Sequence, residues 1–364
     1  MGLRKAGAMH VSMGAPLSAA AFGLLVAITA SAASAIPRTF VASSGQDSHA
    51  CTRAQPCRGF AAALALTDAG GEIVVLDSAG YGPVTIDKSV SIVAPPGVYA
   101  GISVLSGDGI TINTPGIDVA LKGLAINGQG GSNGIVVAQA RSLVVERCTV
   151  GHFATDGINI NAGALVVIAD STFSANAQNG ITISGGASAA ITRARTEFNG
   201  AAGIMVTGGA NVTIDHSAMA TNHVNGLYVL QNFAGTTRVA VDSSVMTGQG
   251  IGSGILAAAL GSSTFVEVDI TRTTIAQNPY GIYVNSISGG ATSASVTDSD
   301  IADNNVNGIT ANNAPTVVRA SGNRIMRNGG SGFAQSGGTI YTPATNYVRG
   351  NGTDDGGHVA DSLL

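Results

Sequence analysis

The 364-residue chain carries 17 Lys and Arg against 21 Asp and Glu, a formal charge of −4, and only 10% of its residues are charged, against ~25% in ordinary domains. That balance excludes a basic nucleic-acid face, which needs stripes of Lys and Arg to meet phosphates. The 51 glycines could signal disorder, but 45% of the residues are hydrophobic and they recur with a strict period, which disorder does not produce.

Residues 1–35 open with Arg4, Lys5 and His10, run through "SAAAFGLLVAITA" and close on Ala33-Ser34-Ala35. A basic start, a short apolar core and a small-x-small end predict a cleaved secretory signal, so the mature protein is expected to be secreted or periplasmic. Its loss removes two cations and takes the formal charge from −4 to −6. The apolar core is too short to span a bilayer, and no later stretch approaches ~18 uninterrupted apolar residues, so no membrane span is predicted.

Residues 36–69 form a separate N-terminal segment. Cys51 and Cys57 bracket "TRAQP", and in an oxidising compartment two thiols so placed are expected to form a local disulfide. Neither a CxxC pair nor a metal-spaced histidine cluster occurs, so no metal is assigned. Arg58 to Thr67, "RGFAAALALT", is alanine-rich, carries Phe60, Leu64 and Leu66, and is followed by Gly70-Gly71. A short amphipathic helix stopped by glycine is predicted, capping the N-terminal end of the fold as a lid.

Beyond Gly71 the chain repeats. Gly134, Gly157, Gly180, Gly203, Gly226, Gly254, Gly281, Gly308 and Gly332 stand 23, 23, 23, 23, 28, 27, 27 and 24 residues apart. An apolar-x-apolar triplet follows nearly every one, from Ile135/Val137 and Ile158/Ile160 to Ile282/Val284 and Ile309/Ala311. Period-two alternation predicts a short strand with one buried face.

Each unit holds a second strand ending at Val145, Ile168, Ile191, Ile214, Val241, Ile270 or Val296. A small residue follows three positions on, as at Cys148, Ser171, Ala194 and Ser217, and then a third strand bearing Val150, Phe173, Thr196, Met219 and their equivalents. A strand this short cannot bury its apolar side alone, so each must stack on its counterpart about 4.8 Å away in the next unit. The leucine and asparagine consensus of leucine-rich repeats and the period near 18 of left-handed hexapeptide helices are both missing from the chain.

The repeated "NGI-x-V … V-x-I-x-x-S-x-F … N" resembles right-handed parallel β-helix proteins of the pectin-lyase-like superfamily. Thr39 to Pro95 is further similar to the N-terminal segment of exported bacterial β-helix repeat proteins. The resemblance implies an all-β, right-handed parallel β-helix with three short strands per coil and about ten coils. It covers residues 70–340, with an irregular last coil and tail at 341–364. It also implies a polysaccharide as partner, while leaving open whether the chain cuts a glycan, binds one, or is a non-catalytic surface protein, because the superfamily includes all of these.

Stacking turns equivalent positions into columns. Asn176, Asn199, Asn222, Asn278, Asn304 and Asn328, ahead of the marker glycines, are expected to bond along the axis and satisfy corner backbone groups. The column Arg147, Asp170, Arg193, His216, Ser243, Arg272, Asp298 alternates in sign and predicts an outward ion ladder, with Asp170 between two arginines and Asp298 beside Arg272. Cys148 falls in the small inward column and reads as a structural thiol.

Two sets of residues are candidates for function. Asp215 and Asp242 fall on adjacent rungs with His216 beside the first, and like charges so close are expected to raise one carboxyl pKa, as acid/base glycoside cleavage requires. "NVTIDHSAM" is similar to the pectate lyase pattern Val-Trp-Ile-Asp-His, with Thr213 in the tryptophan position. That reading alone implies calcium, but the family's Arg-x-Pro-x-x-Arg motif is absent, as are the polygalacturonase and alginate epimerase motifs. The other set is the outward column of the first strand, Val136, Asn159, Thr182, Met205, Tyr228, Leu256, Tyr283 and Thr310, with Tyr280 nearby. Tyr228 and Tyr283 stand two rungs apart, roughly 10 Å, comparable to two sugar units, and with Asn159 they are the expected substrate-binding residues, since aromatic faces suit carbohydrate stacking.

Overall fold

The recurring apolar triplets set the geometry. In the computed structural model, which describes residues 36–354 and 359–360, each unit gives one strand to each of three sheets, of 11, 14 and 12 strands. The strands after the marker glycines form the first sheet, and the second and third strands of each unit form the others. The strand Ile135–Gln139 pairs in parallel with Ile158–Asn161, Ser142–Glu146 with Leu165–Ala169, and Thr149–Gly151 with Thr172–Ser174, always one coil apart. About eleven coils form, against about ten expected. The predicted signal lies outside the described residues, and among those described no helix is long and apolar enough to cross a membrane.

The register is the one the columns require. Ile135 faces Ile158, Ile158 faces Ile181, and the series continues through Leu227, Ile255 and Ile282 to Ile309. All are buried, and hiding a side chain of this size is worth ~1.5–3 kcal/mol. The marker glycines stack too. A Cβ added to any of them from Gly134 to Gly308 would come within 3.0 Å of the carbonyl oxygen of the next marker glycine, so this column admits no side chain.

Polar ladders run inside the coil. Asn176 Nδ2 donates to Asn199 Oδ1 at 2.9 Å, and Asn199 Nδ2 to Asn222 Oδ1 at 2.9 Å. Gln249 then bridges the widened unit: its Oε1 accepts from Asn222 N at 2.9 Å, and its own N–H donates to Asn278 Oδ1 at 3.1 Å. The column continues to Asn328 and Asn351. In the small-residue column the hydroxyls of Ser171, Ser217, Ser244, Thr273 and Ser299 each accept a backbone N–H from the preceding rung. Cys148 belongs to this column; it is buried, and burial pushes its thiol up to about 11.

The ion column proves to be a corner rather than a strand face. Arg147, Asp170, Arg193, His216, Ser243, Arg272 and Asp298 all adopt φ between 46° and 52°, a region costly for residues other than glycine. Each nevertheless donates its N–H to a carbonyl one rung on, as Arg193 does to Asp215 O at 3.1 Å, so the corner keeps the ladder going. Arg193 bonds Asp170 through two nitrogens, at 2.6 and 2.8 Å. The remaining pairing differs from expectation. Arg147 turns to Glu146, and Arg272 reaches Asp242 instead of Asp298, because side chains thrown out from a corner meet the end of the second strand first.

A helix covers the N-terminal end. The helix Phe60–Leu66 buries Phe60, Ala63 and Leu64, and Lys88 Nζ donates to Leu64 O and Thr67 O, each at 3.2 Å, closing its last carbonyls. Cys51 and Cys57 are joined by a disulfide. At the other end the repeat runs past residue 340. Thr339–Thr342 and Tyr347–Arg349 pair with Val317–Ser321 and Arg324–Met326, held by Asn346, which accepts from Asn323 Nδ2 at 2.9 Å.

The units of 27 and 28 residues use their extra length in the strands flanking one corner. Asn225–Gln231, Gly235–Asp242, Ser253–Leu260, Thr264–Thr271, Tyr280–Ile287 and Ala291–Thr297 have seven or eight residues, where Ile158–Asn161 has four and Leu165–Ala169 five. The corner thereby opens into a wedge filled with small and polar side chains. Thr237 and Gln231 bond at 2.6 Å, and Thr292 Oγ1 accepts from Ala259 N at 3.0 Å.

Candidate functional site

Strand alternation sends every second residue of the first sheet outward, and the register joins those residues into a line. Met205 faces Tyr228, Tyr228 faces Leu256, and Leu256 faces Tyr283. Tyr280 packs its ring edge-on against Tyr283, with centroids 5.5 Å apart and planes at 75°. Together with Val224, Ile251 and Leu256 the two tyrosines line an open cleft of about 280 Å³. Partial burial pushes the hydroxyls of Tyr228 and Tyr283 above the usual phenol range, with Tyr280 adding to the effect at Tyr283.

The lengthened strands extend this surface beyond the expected column. Leu230, Leu260 and Ile287 continue the outward alternation past Tyr228, Leu256 and Tyr283, and Ile251, 63% exposed, flanks the cleft. Period-two alternation carried into the longer units would have found the first three. Asn159 is not part of the group: it stands three rungs from Tyr228, and its Nδ2 donates to Asp156 Oδ2 at 3.1 Å. Asp156 in turn accepts from Asn179 N at 2.9 Å, so Asn159 is tied to a ladder running just ahead of the marker glycines.

Charge separates this face from its neighbours. The eleven strands of the first sheet, from Val84–Ile86 to Phe333–Ser336, contain no Asp, Glu, Lys, Arg or His. In the three units that hold Tyr228, Leu256 and Tyr283, the two corners flanking the sheet add only His223. The second sheet, by contrast, carries most of the ion pairs, among them Arg38–Glu72 at 2.7 Å, Lys122–Glu146 at 3.1 Å and Arg238–Glu267 at 2.6 Å.

The other candidate set lies on the second sheet. Asp215 and Asp242 are register partners on adjacent rungs, and His216 Nδ1 lies 2.7 Å from Asp215 Oδ1. Asp242, however, accepts from Thr271 Oγ1 at 2.8 Å and from Arg272 at 2.5 Å. The Thr271 hydroxyl, followed by Arg272, holds its carboxyl below the usual carboxylate range, the reverse of the rise expected from the neighbouring aspartate. The three side chains are 42%, 34% and 64% exposed for Asp215, Asp242 and His216, and stand on an open face. Among the described residues no three His, Cys, Asp or Glu side chains are grouped to hold a metal ion, so the side chains around Asp215 and Asp242 do not fit calcium.

Residues 70–193 and 184–353 match the family model described as right handed beta helix region. The chain belongs to the right-handed β-helix family. Among solved structures this β-helix is similar to the pectate lyase Pel9A, at 15% identity over 90% of this chain and 82% of that one, with a TM-score of 0.55. It is also similar to the catalytic domain of a GH87 alpha-1,3-glucanase in complex with tetrasaccharides, at 14% identity over 86% and 69% of the two chains, with a TM-score of 0.51. No curated protein matches it by sequence. At such identities the likeness is one of fold.

Proposed function

We propose that this β-helix is an exported protein that binds a polysaccharide along the outward face of its first sheet. One observation carries the reading: Tyr228, Leu256 and Tyr283 stand in line on successive rungs, with Tyr280 at their side, on an uncharged outward face. Tyrosine rings present a large apolar face with a polar tip, which covers the CH face of a sugar while leaving its hydroxyls to water. The named glycan-acting proteins of the same fold are consistent with this partner. Export is supported by the Cys51–Cys57 disulfide, of a kind that persists outside the reducing cytosol. N-terminal sequencing of the secreted protein should begin after Ala35.

Binding is tested on a glycan array. Replacing Tyr283 or Tyr228 by Ala should weaken the bound glycan about tenfold each, the scale of one aromatic contact. Binding untouched by both changes would reject this face.

The adjacency of Asp215 and Asp242, with His216 on the first, favours a second reading as a polysaccharide lyase or glycoside hydrolase. Incubation with pectin, alginate and other glycans, with and without calcium, should then yield unsaturated products or new reducing ends. Silence on a broad panel removes the enzyme. Activity that survives both Asp215→Ala and Asp242→Ala removes the site.

A further inference from the structure

We infer that the glycan taken by this face is uncharged and extended, with its chain running along the coil axis across Tyr228, Leu256 and Tyr283. The inference rests on the binding reading above and narrows it to a substrate class. A polyuronate carries one carboxylate per sugar, and a protein that holds it must answer with cations or with a metal ion bridging acid groups. The first sheet contains neither Lys nor Arg, and no metal-holding group exists among the described residues.

The flanking corners do not supply the missing charge. Arg141 and Arg327, which lie in corners beside this sheet, are each engaged through two nitrogens by an aspartate, Asp118 and Asp303, and Lys88, in the corner after Val84–Ile86, donates to Leu64 O and Thr67 O under the capping helix. Asp108 and Asp156, at the edge of the sheet several rungs away, are hydrogen-bond acceptors within the coil. On the first sheet and its two flanking corners, within the units of the tyrosine line, only His223 could become a cation.

Spacing supplies the second half. Rungs repeat every ~4.8 Å, and an equatorially linked pyranose chain in its extended form advances by close to one rung per sugar. Successive sugars of such a chain therefore fall over successive outward residues, ring on Tyr228, aliphatic contact on Leu256, ring on Tyr283. A coiled or strongly bent glycan would leave the line after one contact.

The test is calorimetric titration of the full protein with cellohexaose, mannohexaose and xylohexaose against hexagalacturonate and hexamannuronate, with and without calcium. At least one neutral oligosaccharide should bind tenfold or more tightly than either uronate, with no weakening on added salt. Tyr283→Ala should weaken that binding about tenfold and Tyr283→Phe keep it, since the ring remains. A Leu256→Lys variant, placing one cation in the line, should gain affinity for the uronates at low salt. Uronates bound as tightly as the neutral sugars by the unaltered protein would overturn this inference and leave the polysaccharide reading standing. Binding of none of the five by the folded protein, with no hit on a wider array, would overturn both.

Discussion

The first and second sheets share one interior and have opposite exteriors. Their strands pair in the same parallel manner and bury the same kinds of aliphatic columns, yet the second sheet's strands hold eleven charged residues, from Arg38 to Arg319, and the first sheet's hold none. Stability is therefore expected to follow the shared inward columns, while the outward positions are free to differ for other reasons. On the second sheet they form exposed ion pairs, a kind of contact generally worth ~0–1 kcal/mol. On the first they leave a neutral line of aromatic and aliphatic groups.

This contrast can be broken most forcefully from inside. Gly180→Ala would push a Cβ to 2.7 Å from Gly203 O and 2.9 Å from Asn199 Nδ2, and should cost about 3 kcal/mol or more in urea unfolding. Gly163→Ala, whose nearest neighbour would be 3.6 Å away, should shift the same midpoint by less than ~1 kcal/mol. Equal losses at both positions would mean that the stacked column is not what forbids a side chain.

Next in size is Asn199→Ala. Asn199 accepts from Asn176 N and Nδ2 and donates to Phe173 O and Asn222 Oδ1, all buried. Leaving such groups unpaired should cost ~2–3 kcal/mol by denaturant titration.

The outward rows should respond weakly, and to acid. Arg141 holds the Asp118 carboxyl at about 2, and Arg193 and Thr271 lower those of Asp170 and Asp242. A carboxyl depressed on folding contributes its stability above the unfolded value of ~3.9 and loses it as pH falls through the folded value. Stability from these pairs should thus be flat from neutrality down to about pH 5 and decline below about 4. Arg141→Gln should move the Asp118 titration, followed by carboxyl NMR shifts, back toward the ordinary range. Smallest of all, Arg193→Ala should leave the urea midpoint at neutral pH almost where it stands, because water screens so exposed a pair.

Much of this was legible because inward positions obey one rule. Ile158, Ile181 and Ile204 recur at a fixed interval, and only stacking explains such a series. The features that escaped depend on backbone shape or on neighbours one rung away. Gln249 was hidden from the asparagine column by the longer spacing of its unit, although its amide does the same work. Asn346 and Asn351 were hidden because the last coil loses its marker glycine. The left-handed corner was invisible because Arg and Ser, at four of its seven positions, have no particular liking for it, and Asp and His at the others favour it only modestly. The rise expected in one carboxyl of the Asp215–Asp242 pair does not fall on Asp242, because the Thr271 hydroxyl and then Arg272, 30 residues on, come within reach of it once the corner is turned. On the first sheet, Tyr228 and Tyr283 were found from alternation, but the neutrality of the whole surface needed all eleven strands assembled.

The glycine column has a consequence for how such a protein can be remodelled. Its spacing along the axis stays one rung whether the loop of chain between two glycines has 23 residues or 28, so it counts turns and ignores residues. Added chain is absorbed sideways, at the wedge, without displacing any turn above or below. Girth and height are thus separate dimensions of this molecule, and a broader platform can be grown beside Tyr283 while the far end keeps its register.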